Sequence, residues 1–188
     1  MEILVVDIET TGFNVKTDAI VEIGITLVNT ETKSIDLKFN NVIRHKKFIE
    51  WKHKNSWIFQ NTTLTVEDVK NANSLDYYFS EIQDLFNKYK MTAYNKQFDL
   101  KFLKLAGFKI DDIKCLMKTA KTHSHYKDKK GNIKTPSVEE IYNQFFSKDG
   151  EIYVEQHRAG ADAIDESKIL LHMVELKSNN KDKDLFQS

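Results

Sequence analysis

The sequence predicts an α/β fold in which three antiparallel strands open a sheet and helices alternate with short strands thereafter. Three observations carry that expectation. Ile3 to Val6 and Ile8 form a nearly continuous apolar run, as expected of a central strand covered on both faces. Ala19–Val28 and the alternating stretch Lys33–Ile43 read as two more strands, and the turn Asn29-Thr30-Glu31-Thr32 between them makes the three an antiparallel meander. From Thr65 onward, apolar residues recur mainly at helical spacing.

Composition narrows the class before any motif is read. A chain of 188 residues fits one domain, expected over residues 1–176, with 177–188 a polar, flexible tail. Lys plus Arg and Asp plus Glu both number 28, so the net charge is zero. That balance argues against a protein that coats nucleic acid along its whole surface, and any polyanion must be held by a local patch or by metal ions. The one cysteine, Cys115, excludes an internal disulfide and suits a reducing compartment. The chain opens on a strand rather than a charged leader, and no apolar run reaches the roughly 20 residues of a membrane span. A cytoplasmic protein with no membrane partner is the expectation.

The remaining elements follow in order. Residues 44 to 61 interleave Arg44, Lys46, Lys47, Lys52 and Lys54 with Phe48, Trp51, Trp57 and Phe59. Cations beside aromatic faces can hold phosphates and stack bases; the plainer reading is that the aromatics pack down and the lysines are the wet side. Thr65 caps a short helix with acids in its first turn, and Ser74 caps a longer amphipathic one over about 75 to 90. Met91 to Tyr94 is a short strand leading into a helix from Asn95, which ends at Gly107. Ile110 to Met117 is ambiguous between strand and helix. His123 to Asn132 is a polar, basic loop, either a plain surface loop, the simpler reading, or a mobile one touching substrate phosphates; a zinc site from Cys115, His123 and His125 matches no recurring spacing. Pro136 and Ser137 start a helix with Ile141, Tyr142, Phe145 and Phe146 on its buried face, and a last helix carries Ile169, Leu170 and Met173. Leu185-Phe186 in the tail is a faint match to a peptide that docks on a replication clamp.

Candidate chemistry sits at three places. Side chains two apart on a strand point the same way, so Asp7 and Glu9 project together from the carboxyl end of the first strand, where open α/β sheets place ligands. Two carboxylates this close repel unless a cation sits between them. A solvated strand end is the bland alternative for this pair taken alone. Gly12 lets the backbone turn, and Thr10 and Thr11 offer hydroxyls and amides. Asp99 lies near the start of the helix opened by Asn95, on which Phe98, Phe102 and Leu105 share a face. His157 stands just before the last helix and Asp162 one to two turns inside it. Glu22, an acid within an apolar strand, is either a neighbour of that site or an ordinary sheet-face residue.

Taken together, Asp7-x-Glu9, Asn95-x-x-Phe98-Asp99 and His157-x-x-x-x-Asp162 resemble the DEDDh family of 3′→5′ exonucleases over about residues 2 to 176. The resemblance implies a ribonuclease H-like fold: a mixed five-stranded sheet, its first three strands antiparallel, flanked by helices on both faces. It implies that Asp7, Glu9, Asp99 and Asp162 hold two divalent cations, Mg²⁺ or Mn²⁺, with His157 as general base. Thr10, Thr11, Gly12, Phe13, Asn95 and Phe98 would then bind the terminal nucleotide, with Phe13 against the last base and Phe98 lining the other side. The implied activity is release of nucleoside 5′-monophosphates from single-stranded 3′ ends. DNA is preferred because Glu9-Thr10-Thr11-Gly12 and His157-Arg158-Ala159 look like the DNA-directed members. The alternatives are an exoribonuclease of the oligoribonuclease kind, a catalytically silent polymerase accessory within a replication complex, and a two-metal phosphatase. Members occur as monomers and as dimers. Lys114-Cys115 departs from the Asp-Thr of many relatives, away from the ligand positions, and residues 44 to 61 carry the least likeness.

Overall fold

The chain folds around a sheet with strand order β3-β2-β1-β4. The structure is a computed structural model describing residues 1–148 and 150–180. The central strand β1 (Glu2–Thr10) pairs antiparallel with β2 (Ile20–Asn29), which pairs antiparallel with β3 (Ser34–Val42). On the other side β1 pairs parallel with β4 (Lys90–Thr92). The meander and the mixed sheet are therefore as the sequence predicts.

Period two along β1 sorts its side chains between two cores. Leu4, Val6 and Ile8 join Ile82, Phe86, Leu100, Phe102 and Leu103 of α4 (Leu75–Lys88) and α5 (Lys96–Leu105) on one face. Ile3 and Val5 join Leu116, Ile141, Ile169 and Met173 of α6 (Leu116–Lys121), α7 (Val138–Phe146) and α8 (Ala159–Asn180) on the other. Burying each such aliphatic side chain is worth roughly 1.5–3 kcal/mol, so a one-residue slip of β1 would move every one of them to the wrong layer.

The helix starts obey local capping chemistry. Thr65 caps α3 (Val66–Asn71) by accepting from the Asp68 amide, and the Asp68 carboxylate accepts from the Thr65 amide in return. Ser137 and Glu140 make the same reciprocal pair at α7, and Ser74 accepts from the Tyr77 amide at α4. Gly107 ends α5 with φ +108°, where a Cβ is strained.

The expected fifth strand is reduced to one parallel bridge, Met91 to Asp112, so the described residues form a sheet of four strands. Met91 N–H donates to Asp111 (3.0 Å) and Ile113 N–H donates to Met91 (2.9 Å) before the chain turns into α6. The departure is fixed at once: Leu116 and Met117 amides donate to the Ala93 and Tyr94 carbonyls (3.3 and 3.0 Å), which start a helix where a strand would continue. Residues 44 to 61 form two short helices, α1 (Glu50–His53) and α2 (Trp57–Asn61). Helix α8 runs to Asn180, four residues past the boundary expected at 176, and Leu185-Phe186 lies outside the described residues. Among the described residues no helix is long and apolar enough to cross a membrane.

Candidate active site

The register of β1 places the first two acids. Ile3 and Val5 face the layer of α6 to α8, and the same alternation carries Asp7 and Glu9 to that side at the carboxyl end of the strand. Opposite Asp7 in β2 stands Gly24. A Cβ there would overlap the backbone of Ala159 and Gly160, so the missing side chain lets the first turn of α8 rest directly on the sheet. Asp162, in that turn, is thereby brought beside Glu9. Its Oδ2 accepts from the Arg158 amide at 2.9 Å, fixing the side chain against its own helix start.

Glu22 anchors the same junction. Its carboxylate is buried and accepts Arg158 Nε (3.1 and 3.0 Å), Arg158 Nη2 (2.7 Å) and the Ala159 amide (3.1 Å), while Arg158 Nη1 donates to Thr63 (2.9 Å). This fork-on-carboxylate pair ties β2 to the entry of α8. Glu22 is an anchor within the sheet rather than a member of the ligand set. His157 precedes the pair with φ +51°, a left-handed conformation that is uncommon for a residue with a side chain. Its ring meets the edge of Trp57 at 4.8 Å.

Asp99 arrives from α5, whose Phe102 and Leu103 are pinned in the core, and is only 4% exposed. Glu9, His157 and Asp162 offer ligand atoms that all lie within 4.8 Å of one another. The electrostatics show how closely the acids are gathered. Burial lifts Asp7 well above the usual carboxylate range, and the charges of Glu166, Glu9, Asp99 and Asp162 lift it further. Burial and then Asp162 push Glu9 up to about 9. Burial pushes Asp99 and Asp162 each up to about 7. Burial lowers His157, partly offset by the Glu139 carboxylate, so its imidazole is a neutral proton acceptor at pH 7.

A divalent cation fits this donor set. Asp7 Oδ2 and Asp162 Oδ1 are buried with no hydrogen-bond partner, and buried polar atoms are otherwise nearly always satisfied. Carboxylate oxygens gathered this way suit hard cations. The alternative zinc site does not form: Cys115 is buried, with Sγ donating to the Tyr94 carbonyl at 3.2 Å. Within the 123–134 loop, residues 126–134 form a small hairpin, closed by Asp128 Oδ1 accepting from the Lys130 and Asn132 amides (2.8 and 3.0 Å).

Beside the acids lies a cavity of about 420 Å³. Thr10, Thr11, Gly12, Phe13 and Phe98 line it together with Glu9 and His157. Phe13 is 90% exposed, and its ring stands at 65° to Phe98 with centroids 6.0 Å apart. The chain bends at residues 11–13 as expected of Gly12, without a positive φ there; a Cβ would collide with the Asp18 carboxylate, which accepts from the Asn14 amide (2.8 Å). Asn95 does not line the cavity: it is exposed at the N-cap of α5, with no capping bond from its side chain.

Three contributors were not singled out for the site from the sequence. Trp57 and Ile58 of α2 complete the apolar wall. The basic, aromatic segment is thus divided: Phe48 and Phe59 pack with Ile58, whereas Trp51 and Trp57 are 78% and 56% exposed. Lys47 and Lys52 cap the Val15 and Thr17 carbonyls (2.5 and 2.9 Å). Glu166, one helical turn beyond Asp162, is buried against Asp7 and Asp99; its spacing of four from Asp162 was the available signal.

The family model described as Exonuclease (RNase_T) matches residues 4–170. No curated protein matches in sequence. Among solved structures, the nuclease domain of 3′hExo, described as a DEDDh family member bound to rAMP, is 17% identical with a TM-score of 0.63. The match covers 100% of this chain and 96% of that one. A full-length 3′-exonuclease is 18% identical with a TM-score of 0.67, covering 93% of this chain and 60% of that one. Escherichia coli exonuclease I in complex with a dT13 oligonucleotide is 13% identical with a TM-score of 0.70, covering 96% of this chain and 42% of that one. The chain thus spans less than two thirds of the length of these last two proteins. With residues 4–170 matched to the exonuclease family and Glu9, His157 and Asp162 gathered at one strand end, the chain belongs to that family, whose members are nucleic-acid hydrolases of ribonuclease H-like fold.

Proposed function

We propose that this protein trims single-stranded nucleic acid from its 3′ end, DNA in preference to RNA, with two Mg²⁺ or Mn²⁺ ions, and releases nucleoside 5′-monophosphates. The observation that carries the reading is the pair of buried, orphaned carboxylate oxygens on Asp7 and Asp162, with Asp162 gathered beside Glu9 and His157. Asp7, Glu9, Asp99 and Asp162 would hold the ions. When bound, such a pair lowers the pKa of water and neutralises a phosphate together with its leaving oxygen.

The chain's own residues do the rest. The cavity between Phe13, Phe98 and Trp57 takes the last base, and stacking of this kind tolerates any base. Backbone groups of Thr10 to Gly12 meet the terminal sugar, which sets the polarity. With the base so seated, the last phosphate falls against Glu9 and Asp162. His157, neutral and within 4.8 Å of both, takes the proton from the attacking water. The likeness of Glu9-Thr10-Thr11-Gly12 and His157-Arg158-Ala159 to DNA-directed exonucleases supports DNA. The end-to-end match to a nuclease domain described with rAMP supports the exoribonuclease as the second reading.

The test is a product ladder on matched 3′- and 5′-labelled DNA and RNA single strands with Mg²⁺, Mn²⁺ or chelator. Stepwise shortening from the 3′ end, abolished by chelator and by Asp7→Ala, is expected. An Asp7→Ala variant working at the wild-type rate discards the mechanism, and faster trimming of RNA discards the DNA preference.

A further inference from the structure

We propose that Glu166 is a fifth carboxylate of the metal site, one that positions Asp99 and adds the charge needed to hold divalent ions. This rests on the nuclease reading above and deepens it. Asp162 and Glu166 are four apart on α8 and so share one face of the helix, the face turned toward the sheet end. Glu166 is 3% exposed and has no basic partner among the described residues. A carboxylate that deep without a cation is costly, and in a purely structural role a neutral side chain would serve better.

One oxygen of Glu166 has a definite task. Oε2 accepts from the Tyr94 amide at 2.9 Å, and Tyr94 is the residue before Asn95, where β4 gives way to α5. The bond fastens α8, which carries Asp162, to the turn that aims Asp99, so acids 63 positions apart are set by one side chain. The carboxyl group is close enough to Asp7 and Asp99 for their charges to act on one another. The second sign that this cluster awaits a cation is independent of Glu166: Asp162, 1% exposed, leaves Oδ1 without a partner inside it.

Two variants separate charge from scaffold. Glu166→Gln keeps the shape and an oxygen to accept from Tyr94 but removes the charge; Glu166→Asp keeps the charge and withdraws the acceptor. Mn²⁺ binding to the full chain, without nucleic acid, is measured by calorimetry, and thermal unfolding is followed in chelator and in saturating Mn²⁺. Loss of a group that supports metal ligands weakens metal binding by about 10–100-fold. Glu166→Gln is therefore expected to bind Mn²⁺ at least about 10-fold more weakly than wild type, to melt higher in chelator, and to gain less from Mn²⁺. Glu166→Asp is expected to lie between the two. Wild-type Mn²⁺ affinity in Glu166→Gln, or weaker binding by Glu166→Asp than by Glu166→Gln, overturns the proposal while leaving the nuclease reading intact. Failure of wild type itself to bind Mn²⁺ overturns the nuclease reading instead.

Discussion

In the presence of chelator, raising the pH from about 6 to about 8.5 should destabilise this protein, the reverse of the usual behaviour of paired carboxylates. The cause is the buried acid cluster. Asp162 ionises at 3.8 in an ordinary setting and at about 7 here, because burial disfavours its charged form. Between those two values the folded chain keeps a proton that the unfolded chain has lost, so stability present at low pH drains away as the pH rises through about 7. Integrating for Asp162 alone gives a loss of roughly 1.4 kcal/mol over this window. For a chain of this length that corresponds to a fall of about 3–6 °C in melting temperature. Asp99, also raised to about 7, and Glu9, raised to about 9, act in the same direction; the histidines that burial holds below their usual value, His45 above all, oppose them in the lower part of the window. Saturating Mn²⁺ should reverse the slope, since ions bind the deprotonated ligands and their contribution grows with pH. The assay is differential scanning calorimetry across the range, with chelator and with Mn²⁺. A melting temperature that is flat or rising in chelator would show that the acids are not gathered as described.

Three further outcomes are expected. Gly24→Ala drives a methyl into the backbone at the start of α8 and should cost about 2–3 kcal/mol, read from the urea midpoint; an unchanged midpoint would mean that α8 does not rest on β2 there. Arg158→Met leaves Glu22 buried and uncompensated and should cost about 3–5 kcal/mol, with much of that recovered in the double variant carrying Glu22→Gln. Full additivity of the two changes would deny the pairing. Phe13→Ala, at an exposed position, should leave unfolding within about 0.5 kcal/mol of wild type. The same change should weaken single-strand binding by about 1–3 kcal/mol, seen as a higher KM. An unaltered KM would remove Phe13 from the nucleotide pocket.

Much of this architecture is legible because its causes are local. The caps at Thr65, Ser74 and Ser137 depend on residues within one turn, and each is found where capping chemistry places it. Strand alternation likewise put Asp7 and Glu9 on one side. The pairing of Ile110 to Ile113 depended instead on when the chain would turn into α6, a choice made by the Ala93 and Tyr94 carbonyls some twenty positions earlier. Glu22 could be read two ways until Arg158, 136 positions away, was seen to grip it. In residues 44 to 61 the mixture of lysines and aromatics resolves only once the 14–18 loop and His157 supply partners for Lys47, Lys52 and Trp57.

The amino-acid sequence alone determined the α/β class and the meander, because period and capping are properties of neighbouring residues, and its resemblance to a known family singled out the five residues on which the chemistry is proposed to turn. Only the tertiary structure decided that Gly24 makes room for α8, that Arg158 and Glu22 lock its entry, and that Glu166 joins the acids. Those are contacts between segments that chain distance leaves free, and packing against a shared sheet is what fixes them.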